Sequence, residues 1–162
     1  MPDITPCLWF DDQAQEAAEL YVSVFPSSRI EEVNSCSEAG PRAAGTVMTV
    51  RFTLDGNELL ALNGGPEHFK FDESISFLLR CASEEELDHY WSSLADGGDA
   101  IACGWLKDRY GLRWQVVPAE LPELLADPDP ARSRAAAEAM FRMKKLDLTA
   151  IKAAADRAGE AA

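Results

Sequence analysis

Side chains that commonly carry chemistry are sparse in this chain of 162 residues. Histidine occurs only at His68 and His89, and cysteine at Cys7, Cys36, Cys81 and Cys103. A zinc site needs converging nitrogen and sulfur donors in close-spaced sets, and the sequence has neither a CxxC pair nor ligand-spaced histidines. His89 stands beside Tyr90 in a helical stretch and reads as a surface residue. His68 follows Glu67 in a loop, so Glu67 and His68 are candidate acid–base groups; an ordinary exposed loop or a lid is the plainer reading. Cys103 is a candidate nucleophile, yet no His or Lys adjoins it to lower its pKa, which favours an inert thiol. Arg51 and Arg113 are candidates for clamping a carboxylate or phosphate, or else for pairing with surface acids at a sheet rim.

Several function classes are excluded at this level. No GxGxG occurs, and the first predicted strand runs through Asp11-Asp12 into a helix without a glycine. The Gly-rich strand-to-helix turn of nucleotide-type cofactor sites is therefore missing, and no cofactor is expected. A net charge of −13 repels phosphate backbones and anionic lipid, so neither nucleic acid nor membrane is an expected partner. No apolar run reaches the roughly 18 residues that a membrane span needs. Met1-Pro2-Asp3-Ile4 lacks the basic and apolar regions of a secretory signal. Together with widely spread cysteines, this predicts a cytoplasmic protein with reduced thiols.

The elements that must position these groups follow from periodicity. Residues 4–10 (ITPCLWF) read as a strand. Asp12 and Gln15 have capping-box spacing and open a helix carrying Ala14, Ala17, Ala18, Tyr21, Val24 and Phe25 on one face. Residues 29–36 form a second strand and 37–45 a loop. Strands at 47–54 and 58–63 flank Asp55-Gly56-Asn57, which is hairpin chemistry. Residues 67–73 read as an exposed loop carrying Phe69 and Phe71. A strand at 75–81 follows, then a helix opened by the Ser83–Glu86 box, with Leu87, Tyr90, Trp91 and Leu94 as its stripe. A second hairpin joins 100–106 to 112–117. After 120 the chain changes character: a short turn of helix at 121–125, an Ala-rich helix at 131–145 entered through Pro130, and a last helix to about Arg157 that Asp147 caps.

These elements repeat. Displaced by 70 positions, Ala17 falls on Leu87, Tyr21 on Trp91 and Val24 on Leu94. Each half runs strand, helix, hairpin; the second half has no evident partner for the strand at 29–36. Such a repeat sets the fold expectation more firmly than any single motif.

The strings ITPCLWFDDQAQEAAELYVSVFP, LLALNGGPEHFKF and CGWLKDRYGLRWQVVP resemble the PhnB-like branch of the vicinal-oxygen-chelate superfamily, from about residue 4 to 143. Members of that branch often carry the label 3-demethylubiquinone-9 3-methyltransferase. The resemblance implies an α+β fold of paired βαβββ modules, the glyoxalase/bleomycin-resistance/dihydroxybiphenyl dioxygenase fold, usually as a homodimer, with each sheet curved around a cavity. The modules fall at about 1–66 and 73–119 of a single domain spanning 1–120; 121–162 is a helical extension that packs on the domain or a dimer seam.

In metal-using relatives a His opens the first strand of a module, and a Glu or His ends its last strand. Those positions carry over onto Thr5, Asn63, Ser74 and Gln115, none of them a strong ligand, so no metal is expected. Strand alternation then sorts side chains between a helix-packed face and a mixed face. The mixed face offers Thr5, Cys7, Trp9, Thr49, Arg51, Asn63, Ser74, Ser76, Cys103, Trp105, Arg113 and Gln115, with Phe69 and Phe71 from the loop. Tryptophan walls with hydroxyls and amides suit a small aromatic or amphipathic ligand. Three functions compete: a metal-free binder of such a molecule, an enzyme using side-chain acid–base chemistry (a glyoxalase-like lyase or the labelled methyltransferase), and a structural homodimer module with a vestigial cavity.

Overall fold

The computed structural model describes residues 4–40 and 42–160. Met1-Pro2-Asp3, on which the expectation of no secretory signal rests, Pro41 of the predicted loop and the last two residues of the extension lie outside them. The chain divides into two units, Met1–Lys70 and Phe71–Ala162.

The first unit runs β1 (Cys7–Phe10), α1 (Ala14–Val24), β2 (Arg29–Ser35), β3 (Val47–Leu54) and β4 (Asn57–Asn63). Its sheet has the order β1-β4-β3-β2, with β1 parallel to β4 and the other pairs antiparallel. Alanines at 14, 17 and 18 let α1 lie close to the sheet, and Tyr21 stacks on Phe52. Leu8, Phe10, Val50, Phe52, Leu59 and Ala61 complete this core. Asp55 and Gly56 both adopt left-handed backbone, the two-residue hairpin turn that matches strand twist. β1 is shorter than expected. Ile4 is 91% exposed, and Pro6 has no N–H to extend the ladder.

The expected Asp12–Gln15 capping box does not form. Gln13 is the N-cap without a side-chain bond, and Gln15 pairs with Glu19 instead. The first-turn N–H of Ala14 is taken by Asn63 Oδ1 at 2.8 Å, from the far end of β4.

The second unit begins β5 (Phe77–Cys81), α2 (Glu84–Ala95), β6 (Asp99–Ala100), β7 (Trp105–Lys107) and β8 (Arg113–Pro118). Its order, β5-β8-β7-β6, repeats that of the first sheet, including the parallel pairing of β5 with β8. The strand expected at 100–106 is two strands, and β6 is the counterpart of β2 that the sequence seemed to lack. Cys103 and Gly104, both with positive φ, break the run. At α2 the predicted capping box is present: Glu86 N–H donates to Ser83 Oγ, and Ala82 N–H donates to Glu86 Oε2 at 2.7 Å.

Residues beyond 120 belong to the second unit as α3 (Leu121–Leu125), α4 (Pro130–Phe141) and α5 (Leu148–Glu160). Asp129 caps α4 with Pro130 in its first turn, and Asp147 accepts from Ala150 at the start of α5. α4 stops at Phe141 rather than 145. The carbonyls of Met143 and Lys144 instead receive the N–H groups of Cys103 and Gly104 at 2.8 Å. Leu146, Ile151 and Ala155 are buried. No helix among the described residues is long and apolar enough to cross a membrane.

Candidate functional site

Each sheet has one face under its helix and one open face, and strand register assigns residues to them. In the first unit one cross-strand row is Cys7, Leu60, Arg51 and Glu32, and the next is Trp9, Leu62, Thr49 and Asn34. Cys7, Trp9, Thr49 and Arg51 therefore share the open face, as alternation implied. Thr5 joins them by donating to Glu58 across 3.4 Å.

Asn63 does not belong there. It pairs with Phe10 on the helix-packed face and is 6% exposed. Its amide is used at both ends: Oδ1 takes the Ala14 N–H, and Nδ2 donates to the Val47 carbonyl at 3.1 Å. Leu60 and Leu62 were missed. Their strand, ELLALN, is apolar on both faces up to Asn63, so polarity alone could not sort it.

Trp9 is the best-defined side chain of this face. Its Nε1 donates to the Gly65 carbonyl at 3.0 Å, and Gly64 lies against the indole so closely that a Cβ there would sit 2.0 Å from the ring. Phe69 meets the indole edge-on, centroids 5.4 Å apart at 76°. Glu67 and His68 are exposed. Arg51 is shared between Glu32 and Glu58, each at 3.3 Å, so its fork is occupied on both sides and it does not stand open to an anion. Partial desolvation of its sulfur raises the Cys7 thiol from its ordinary value.

In the second unit Leu78, Gln115 and Trp105 form one row of the open face, with Arg113 and Lys107 beside it. Gln115 donates to Ser76 at 2.9 Å. Arg113 Nε donates to Glu73 at 2.8 Å and Nη1 to the Gly111 carbonyl at 2.6 Å. The guanidinium hydrogen bond holds the Glu73 carboxyl below its ordinary value. Leu78 and Arg80 fall on this face by the same alternation as Ser76, and Lys107 was missed. Ser74 and Cys103 depart from expectation. Ser74 lies in a turn before β5, where Asp72 accepts from its N–H and hydroxyl. Cys103 lies in the left-handed turn that is bonded to Met143, not on a strand. Phe71 is half-buried, its ring 4.0 Å from where a Gly111 Cβ would stand.

Across β7 and β8, Asp108 is 1% exposed and accepts from Tyr110 N–H, Leu112 N–H and Trp114 Nε1. Nothing in the sequence distinguished this carboxylate from an ordinary turn aspartate.

The four positions onto which the resemblance carries metal ligands do not suit an ion. Thr5, Asn63, Ser74 and Gln115 offer neutral oxygens or amides, each engaged in a hydrogen bond of its own. Among the described residues no group of three His, Cys, Asp or Glu is placed to hold an ion. The S-adenosylmethionine implied by the family label fits no better. The turn from β1 to α1, Asp11-Asp12-Gln13, has no glycine to bring backbone against a cofactor.

The profile of the 3-demethylubiquinone-9 3-methyltransferase family matches residues 2–117. A Bacillus cereus PhnB protein, provisionally named a 3-demethylubiquinone-9 3-methyltransferase, is 34% identical; the match covers 72% of this chain and 99% of that one, with a TM-score of 0.65. Protein PA1353 from Pseudomonas aeruginosa is 22% identical over 73% of this chain and 97% of its own, with a TM-score of 0.59, a likeness of fold. No curated protein matches.

Proposed function

This chain belongs to the 3-demethylubiquinone-9 3-methyltransferase family, PhnB-like proteins of the vicinal-oxygen-chelate fold, and from that premise we propose that it is a metal-free binder of a small aromatic or amphipathic molecule. One observation carries the reading. Both open sheet faces set a half-buried tryptophan, Trp9 or Trp105, beside leucine and hydrogen-bonding side chains. Flat apolar area gives such a face its affinity, and Thr49, Asn34, Gln115 and Ser76 fix orientation. The candidate acid–base pair and the candidate thiol are not built into these strand rows. Glu67 and His68 lie exposed in a loop, and Cys103 sits in a turn with its N–H spent on the C-terminal extension.

In this reading residues 1–120 form the binding domain and 121–162 support it. The protein works as a cytoplasmic homodimer; β1 and β2 are the edges of the first sheet and β5 and β6 those of the second, the strands at which a second copy can pair. Native mass spectrometry of protein taken directly from cells is expected to show a stoichiometric organic adduct, reduced in Trp9→Ala and Trp105→Ala. Calorimetry with S-adenosylmethionine is expected to give no heat of binding. One divalent metal per chain by elemental analysis would overturn the proposal. Turnover that collapses on His68→Ala would replace it with an enzymatic function.

A further inference from the structure

Resting on that reading, we propose that the indole of Trp9 is the ligand subsite of the first unit, and that Phe69 occupies it until an aromatic ring from the ligand takes its place. The segment from Gly64 to Lys70 is held very unequally at its two ends. At the Gly64 end it is stitched to β1: Gly64 N–H donates to the Phe10 carbonyl at 3.0 Å and Gly65 N–H to the Asp11 carbonyl at 3.1 Å. Trp9 Nε1 returns a bond to Gly65, and only glycine permits the chain to lie this close to the ring. These contacts fix the indole plane and use its one polar group, so what remains available is its apolar surface.

At the other end the side-chain aromatic and ionic contacts among the described residues are the Phe69 edge contact and the Lys70–Asp11 ion pair at 3.2 Å, and Phe69 is 56% exposed. An exposed ion pair holds little. A phenylalanine more than half in water gains little by burial, so what keeps it against Trp9 is the aromatic contact itself. A ligand ring that takes the place of Phe69 against the indole makes an aromatic contact of comparable worth and buries more of itself beside Leu62, which follows Trp9 in the same row. Gly65, with φ of +96°, and Pro66 stand at the boundary between the stitched end and the loose one.

The test uses full-length protein labelled with fluorotryptophan and the amphipathic aromatic probe anilinonaphthalenesulfonate. The four tryptophans give separate fluorine resonances, and Trp9→Phe assigns that of Trp9. Phe69→Ala is expected to shift this resonance without probe and to tighten probe binding roughly two- to tenfold, the range that one aromatic pair spans. Probe titration of the unmodified sequence is expected to move the Trp9 resonance. If the probe binds while the Trp9 resonance stays still, or if Phe69→Ala binds it no more tightly, the subsite proposal is overturned and the binder reading stands. If neither protein binds the probe, both fall.

Discussion

The two units share one backbone plan and differ in almost every polar side chain that the plan displays. Aligning β1 with β5 through Phe10 and Cys81, and β4 with β8 through Asn63 and Pro118, sets equivalent positions side by side. Trp9 then corresponds to Arg80, Arg51 to Trp105, and Glu58 to Arg113. Each open face carries one tryptophan; the tryptophan and an arginine have exchanged strands, and Arg113 on the second face stands where the first has Glu58, so the rim charge has changed sign. Face assignment is imposed by the pleat and by the helix on the other side, so the repeat keeps it. Residue chemistry at a given position is free to diverge, because on the open face no packing constraint fixes it.

The helix starts and hairpins differ in the same instructive way. α2 is capped by its own neighbours, Ser83 and Glu86; α1 is capped by Asn63, 49 positions away in sequence. The hairpin of the first unit closes on an exposed Asp55-Gly56 pair, and that of the second on a loop organised around the buried Asp108. Of the helix starts, one is satisfied locally and the other by a residue far along the chain; of the hairpins, one turn lies in solvent and the other is organised by a buried carboxylate bonded to residues two to six positions on.

Isosteric Asp→Asn substitutions probe the hairpins. Asp108→Asn turns an acceptor into a donor facing Trp114 Nε1 or a backbone N–H, and is expected to cost about 3 kcal/mol. Asp55→Asn should stay within about 0.5 kcal/mol, because asparagine tolerates the left-handed turn. Urea denaturation measures both; equal costs would remove the distinction. Asn63→Ala should cost about 2 kcal/mol, since it orphans a buried N–H and the Val47 carbonyl, whereas Ser83→Ala should cost about 1 kcal/mol. Hydrogen exchange at the first turns of α1 and α2 would localise each loss.

Two pH effects are smaller. Burial pushes the Cys81 thiol up to about 11, while its counterpart Phe10 has nothing to titrate. The unfolded chain gives up this proton more readily than the folded one. The associated stability is therefore present below pH 9.0 and lost as pH rises toward 11. Cys81→Ala should flatten that part of the urea-midpoint profile, and a slope that persists would assign the effect elsewhere. Glu73 has the opposite sign. Its carboxyl is held below 4.5 by the hydrogen bond from Arg113, so its contribution is present above 4.5 and disappears as pH falls through the lowered folded value. Glu73→Gln should reduce stability slightly at pH 7 and match the unmodified protein at pH 2; a gap that survives acid would place the effect in packing.

What could be read without coordinates was periodic or local: α1 and its alanine face, the Ser83–Glu86 box, the Asp55-Gly56 turn, the Pro130 entry and the duplication itself. Each depends on residues within a few positions of one another, or on a spacing that recurs. The sharing of one open face by Cys7, Trp9, Thr49 and Arg51 was legible for the same reason. Tertiary structure alone decided the rest. β6 is too short to show a period, and the Cys103–Gly104 turn that creates it is held by carbonyls 40 positions later. Asn63 reads as an open-face residue until α1 places an unsatisfied N–H beside it. Leu60 and Leu62 are indistinguishable from core until the helix is seen to lie on the other side. Asp108 is an ordinary turn aspartate until Trp114 folds over it. For β6, Asn63 and the two leucines the deciding partner is distant in sequence, and an unpaired polar group or an ambiguous apolar strand acquires its role only when the chain brings that partner within hydrogen-bonding or packing distance; the partners of Asp108 lie within six positions, and there it is burial by the fold that sets the carboxylate apart.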